Sequence, residues 1–157
     1  LPRHAAANPV MKPRAAWPVL VKKAQDRVDR AQADWVKARE RHRALQASRQ
    51  RMQTLYEDYV RKCREAEQTA QSISVSQSFR TFIQQVQGLI LRVEADLVTA
   101  QEQVQQCQQQ VQQAESKRLQ MQTLMEKDQQ RVRAHLQKRE QNAMDAAGVM
   151  LYNLRNP

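Results

Sequence analysis

Two long runs of apolar residues recur at alternating steps of three and four positions, one from Val21 to Ile73 and the other from Phe79 to Met125. Only His42 and Arg49 interrupt the first run, and only Arg118 interrupts the second. Such a repeat leaves one narrow apolar seam on each helix, which is the requirement for a coiled coil. The pattern therefore predicts two long helices that pack against each other along their seams.

No proline occurs between positions 18 and 157, so nothing in between forces a helix to break. A short polar stretch, 74–78, separates the two runs and indicates a turn. We predict an all-α fold, a long two-helix antiparallel coiled-coil hairpin. Its expected parts are an irregular basic leader over 1–17, helix 1 over about 18–72, a turn over about 73–78 and helix 2 over about 79–152, with 18–157 as one domain. Residues 1–10 could equally be an extension ahead of a native start at Met11.

A turn centred near residue 76 sets the expected pairing between the helices. It places Arg49 near residue 103 and residue 18 near residue 134, so helix 2 overhangs helix 1 by about fifteen residues. Past Met125 the repeat indicates a change of phase, because Asp128 falls on a seam position. A shifted stripe follows at Val132, Leu136, Ala143, Ala147 and Met150. An unpaired apolar stripe of this kind indicates a binding site.

Composition argues against a layered globular core, since 27% of the residues are charged, 4% are aromatic and only two are glycine. The formal net charge is +10. The basic excess is concentrated over 22–51 and 117–139, which an antiparallel hairpin brings side by side. Three interpretations stay open for that basic end: a solvated face, a surface for an acidic protein, or a nucleic-acid surface.

Residues capable of catalysis are not grouped in the sequence. There is no glycine-rich phosphate loop, no nucleophile elbow and no metal-ligand spacing, and His4, His42 and His135 are isolated. We expect no enzymatic activity, no cofactor and no metal. Cys63 and Cys107 fall on the seams, which favours buried, reduced thiols. The sequence also lacks a long apolar segment or an apolar signal core, so we expect a cytoplasmic protein.

A second apolar ridge flanks the seam of helix 2. Phe82 and Leu89 each precede a seam isoleucine by one position, and with Val86 and Val93 they follow spacings of four, three and four. Gly88 on the outer side of the same turns would let another backbone come close. The ridge is either a patch that binds a partner or a locally wider core near the turn.

Five short segments resemble the FliJ family of flagellar export proteins. They are Met11–Pro13, Trp17–Leu20, Leu55–Tyr59, Phe79–Val86 and Lys138–Asp145. The resemblance spans nearly the whole chain from Met11. It implies a non-enzymatic stalk that inserts into the ring of a FliI-like hexameric export ATPase and promotes its assembly. Such a stalk couples the ring to a FlhA-like export gate and to export chaperones, at the cytoplasmic side of the inner membrane.

The resemblance also assigns candidate sites. Carried over by position, the contact with the export gate falls on Phe82, Val86, Leu89 and Val93, and a first-helix contact surface falls on Leu55 and Tyr59. The end that enters the ATPase ring carries basic and apolar residues, namely Lys22, Lys23, Arg27, Arg131, Arg133, Leu136, Arg139 and Met144.

Other classes of protein fit the same pattern. A stalk of a virulence type III secretion system shares the architecture. A basic nucleic-acid-binding coiled-coil rod would bind DNA in a strongly salt-dependent way. A generic scaffold would dimerise through one continuous helix, which light scattering separates from a monomeric hairpin.

Overall fold

The computed structural model describes residues 12–69 and 72–157, and these residues form two helices and no strand. Helix α1 is Ala16–Gln68 and helix α2 is Ile73–Arg155. The predicted all-α class with two packed helices is confirmed. Most of the predicted leader, including the proposed extension 1–10, His4 and Met11, lies outside the described residues.

Local sequence explains where the helices begin. Pro18 lies in the first turn of α1, where a missing amide hydrogen costs nothing because the first amides of a helix have no partner within it. Ser72 caps α2, because its Oγ accepts a hydrogen bond from the amide of Val75 at 3.4 Å. Both helices then continue without an internal proline or other strong breaker.

The connection between the helices differs from the predicted turn at 73–78. Residues Ser74 to Ser78 belong to the first turns of α2, and the connection lies between Gln68 and Ile73. Hydroxyl groups explain the difference, because Ser78 Oγ donates to the carbonyl of Ser74 at 3.0 Å within the helix. A polar stretch that satisfies its own side chains in this way can remain helical.

The hairpin divides into two compact units. Unit 1 contains the start of α1, up to Arg27, together with Ala114–Pro157, and unit 2 contains Val28–Gln113. Each unit therefore holds a segment of both helices, and unit 2 also holds the connection between them.

In unit 2 the cross-helix contacts establish an antiparallel register. Arg49 forms an ion pair with Glu94 at 2.9 Å. Further along α1, Tyr56 accepts a hydrogen bond at 3.3 Å from Gln87, which lies earlier on α2 than Glu94. Nearer the connection, the ring of Tyr59 packs against that of Phe82. The predicted pairing of Arg49 with residue 103 is therefore wrong. Because the connection lies earlier in the chain than predicted, each of these α1 residues pairs with an α2 residue of lower number than predicted.

The predicted seam is the core of unit 2. Val86 is its most buried large side chain, at 2% exposed. The other buried apolar residues all occupy predicted seam positions, namely Val28, Cys63, Ala66, Ile90, Val93, Ala100, Cys107 and Val111. Both cysteines are free. Two of the described seam residues of unit 2 are exposed. Arg49 leaves the seam and reaches Glu94 at the surface, and Ile73 lies at the start of α2, beside the connection.

In unit 1 the seam extends further than predicted. Asp128 and Val132 are both buried, and they continue the steps of three and four from Met125 without a change of phase. The shift predicted at Met125 is therefore wrong, because the buried carboxylate of Asp128 has hydrogen-bond donors around it. From residue 133 to residue 157 every residue is exposed, so of the predicted shifted stripe only Val132 is buried and Leu136, Ala143, Ala147 and Met150 are exposed.

Burial of the seam can be tested with two valines on α2. We expect Val86→Ala to lower the free energy of unfolding by roughly 2 kcal/mol, because it leaves a cavity between the helices. Val98→Ala is the matched control, since Val98 is 61% exposed and the change in helix propensity is the same. Urea unfolding followed by circular dichroism measures both variants. Equal effects at the two positions would contradict the assigned seam.

Candidate protein-interaction surfaces

An aromatic cluster joins the two helices close to their connection. The ring of Tyr59 lies 4.2 Å from that of Phe82 and 6.0 Å from that of Phe79, measured between centroids. The ammonium group of Lys62 lies over the ring of Tyr59, 5.0 Å from its centroid. Aromatic pairs at these distances contribute beyond simple burial, so the cluster fixes this part of unit 2.

The four residues predicted to contact the export gate differ in burial. Val86 and Val93 are buried between the helices, whereas Leu89 is 45% exposed and Phe82 is half-buried against Tyr59. The predicted ridge combines two seam positions, Val86 and Val93, with two residues that each precede a seam isoleucine, which explains the difference in burial. Only Leu89 and part of Phe82 are available to a partner in this structure.

Their heptad positions place the predicted first-helix residues on the same edge of the seam as Phe82 and Leu89. Leu55 is exposed and precedes the seam residue Tyr56 by one position, as Phe82 and Leu89 precede theirs. In an antiparallel pair these positions flank the same edge of the seam on both helices. Tyr59 contacts Phe82 directly. We name the four residues Leu55, Tyr59, Phe82 and Leu89 the Leu89 patch.

The other edge of the seam in unit 2 has a different character. A groove of about 370 Å³ is lined there by Gln53, Tyr56, Gln87, Ile90, Leu91 and Glu94. Leu91 is 67% exposed at its rim. Sequence reasoning missed Leu91, because one outward leucine in a polar context gives no periodic signal. It provides a control position for the Leu89 patch.

A polar cluster links the end of α1 to the beginning of α2. The carboxylate of Glu67 accepts hydrogen bonds from the guanidinium of Arg80, from Ser76 Oγ at 3.3 Å and from Cys63 Sγ at 3.8 Å. The hydrogen bond and charge of Arg80 lower the pKa of Glu67. Sequence reasoning missed this cluster because the pairing depends on the true position of the connection.

In unit 1 a buried acid joins the segment just before α1 to α2. Asp128 is 8% exposed, and its carboxylate accepts a hydrogen bond from the backbone amide of Arg14 at 3.0 Å. The guanidinium of Arg131 donates to its other oxygen at 2.7 Å. The Arg14 amide first, and then Arg131, lower the pKa of Asp128, and burial opposes them. The acid expected to end the seam thus ties α2 to the residues that lead into α1.

The eight residues predicted for the ATPase-ring end all belong to unit 1, and all of them are exposed. Among them Arg131 contacts Asp128, as described above. The last part of α2 adds a series of exposed large apolar side chains, namely Leu136, Met144, Val149, Met150, Leu151, Tyr152 and Leu154. Exposed apolar side chains grouped in this way are typical of a protein-interaction surface.

Neither of the described helices contains a segment apolar enough to cross a membrane. Over residues 12–69 and 72–157, no three side chains of His, Cys, Asp or Glu are grouped so that they could hold a metal ion.

These features define an all-α coiled-coil hairpin with exposed surfaces suited to contacts with other proteins. The family model described as "Flagellar FliJ protein" matches residues 18–157, and the chain therefore belongs to the FliJ family of coiled-coil components of flagellar export. The family predicted from the short segments is confirmed, whereas the residue assignments stay predictions. No curated protein and no solved structure matches the chain.

The tie at Asp128 predicts a specific dependence of stability on pH. A carboxyl with a lowered pKa stabilises the fold above its ordinary pKa, and this contribution disappears as the pH falls through the lowered value. We therefore expect Asp128→Asn to lower the Tm near neutral pH and to match the unchanged protein in strong acid. Asp145→Asn, at an exposed position of unit 1, is the control and should follow the unchanged protein throughout. A Tm difference that stays constant with pH would show that the charge of Asp128 does not matter.

Proposed function

We propose that this chain is a non-enzymatic stalk of the flagellar export apparatus, which contacts the export ATPase through unit 1 and the export gate through unit 2. The observation that carries the proposal is the long exposed end of α2. Residues 133–155 continue as helix although none of them is buried within the molecule. A helix with exposed apolar and basic side chains is suited to a binding site formed by another protein.

The proposed ATPase surface comprises the eight predicted residues of unit 1. Lys22, Lys23 and Arg27 supply charge from α1, and Arg131, Arg133 and Arg139 supply it from α2. Leu136 and Met144 add exposed apolar area on α2. This combination supports insertion into a ring of a FliI-like ATPase whose inner surface is acidic and partly apolar, because charge complementarity guides association and apolar contacts hold it.

The proposed gate surface is the Leu89 patch. Leu89 and Leu55 supply exposed aliphatic area, and the packed rings of Tyr59 and Phe82 hold one end of the patch in place. Val86 and Val93 contribute by supporting the patch from the core, since they are buried. A preorganised apolar patch of this kind supports binding to the cytoplasmic part of a FlhA-like gate protein. Both partners, and the export chaperones, imply a cytoplasmic location beside the inner membrane.

A single charge at the Leu89 patch tests the proposed gate surface. We expect Leu89→Asp to abolish binding to the cytoplasmic part of a FlhA-like gate, because burying the new carboxylate at the centre of the contact would remove its hydration. Leu91→Asp is the matched control, two residues away on the other edge of the seam and more exposed. Isothermal titration calorimetry measures binding, and circular dichroism checks helix content. Loss of binding in both variants, or in neither, would contradict the assignment.

Charge reversal in unit 1 tests the proposed ATPase surface. We expect Arg133→Glu with Arg139→Glu to remove the stimulation of hexamer formation by a FliI-like ATPase, which analytical ultracentrifugation measures. Arg64→Glu with Arg92→Glu applies the same change of charge at two exposed positions of unit 2. If the two double variants stimulate hexamer formation equally, the ATPase does not bind through this end of α2.

A further inference from the structure

A second groove lies in unit 2, on the same edge of the seam as the Leu89 patch. Its volume is about 380 Å³, and its lining consists of Asp34, Lys37, Ala38, Arg41, Ala100, Gln103, Gln106, Cys107 and Gln110. Asp34, Arg41 and Gln103 each precede a seam residue by one position, as Leu55 and Leu89 do. The small side chains of Ala38 and Ala100 leave the space open.

The groove carries cations that the protein itself does not neutralise. Lys37 and Arg41 line it, and Arg51 lies further along the same face of α1. In the described part of the chain, none of the three forms an ion pair or a side-chain hydrogen bond. Over 37–51 there are six basic residues and one acidic residue. Of these cations, Arg49 is the one with an acidic partner, Glu94.

The opposite wall of the groove supplies amides. Gln103, Gln106 and Gln110 stand on α2, and each side chain offers two N–H donors and one carbonyl acceptor. A carboxylate only accepts hydrogen bonds, so cations on one wall and amide donors on the other match a ligand rich in carboxylates. The ligand chemistry that fits this groove is therefore anionic.

We propose that the groove binds an acidic segment of a partner protein, a stretch with several Asp or Glu side chains. A protein segment fits better than a nucleic acid because Asp34 interrupts the cations inside the groove. A phosphate backbone would bring a negative charge to that position, whereas a peptide can place a neutral residue there. The proposal stands independently of the proposed contacts with the ATPase and the gate.

Binding of a short, fluorescently labelled oligoglutamate peptide to the full chain tests this site. Fluorescence anisotropy at low ionic strength measures the Kd. We expect Lys37→Gln with Arg41→Gln to weaken binding by roughly five-fold, since two exposed ion pairs are lost. Arg43→Gln with Arg64→Gln removes the same charge from two exposed positions that directly follow seam residues, and it should change the Kd less than about two-fold.

Each other outcome overturns the proposal. If the unchanged protein does not bind oligoglutamate at low ionic strength, the groove is not a site for acidic segments. If both double variants weaken binding equally, the peptide responds to net charge and not to the groove. If a short DNA duplex binds more tightly than the peptide and depends on Lys37 and Arg41, the groove is a nucleic-acid site. Circular dichroism confirms that these surface variants keep their helices.

Discussion

The packing of two narrow apolar seams against each other is the constraint on which the rest of this molecule depends. A helix pair without a third layer buries one stripe of each helix, so residues such as Val86, Ile90 and Val111 provide most of the available apolar burial. Most of the described positions beside the seam are exposed, and the others are only partly buried. The same geometry that limits the core therefore provides long edges on which the Leu89 patch and the acidic-segment groove can form.

The connection between the helices determines which residues meet across the seam. An antiparallel pair shifts all of its partners together when its connection moves, because both chains run away from the same point. Serine and threonine side chains that bond to their own helix backbone allow α2 to begin at Ile73. As a consequence Arg49 forms an ion pair with Glu94. The exposed end of α2 beyond its buried part is also longer than the sequence predicts.

Spacing along the sequence predicts which face of each helix is buried. It says much less about which residues that face contacts. The seams, the buried cysteines, the all-α class and the FliJ family could all be predicted from periodicity and short motifs. The same periodicity places Val86 and Val93 on the seam, so their burial could be predicted too, and it conflicts with their inclusion in a surface ridge. That ridge could not be resolved into buried and exposed members from spacing alone, because seam and flanking residues share the same apolar character. The burial of Asp128 could not be predicted, since a charged residue on a seam ordinarily indicates that the seam has ended.

Polar groups at the seam give the hairpin its specificity. An apolar seam of small and medium side chains packs almost as well after a slip of one heptad, which moves a helix by roughly 10 Å. Asp128 in unit 1 opposes such a slip because its buried carboxylate would lose the Arg14 amide. Arg49 with Glu94 opposes it in unit 2. The Leu89 patch and the acidic-segment groove each combine residues of both helices, so a slip would separate their halves. Register is thus a functional requirement as well as a structural one.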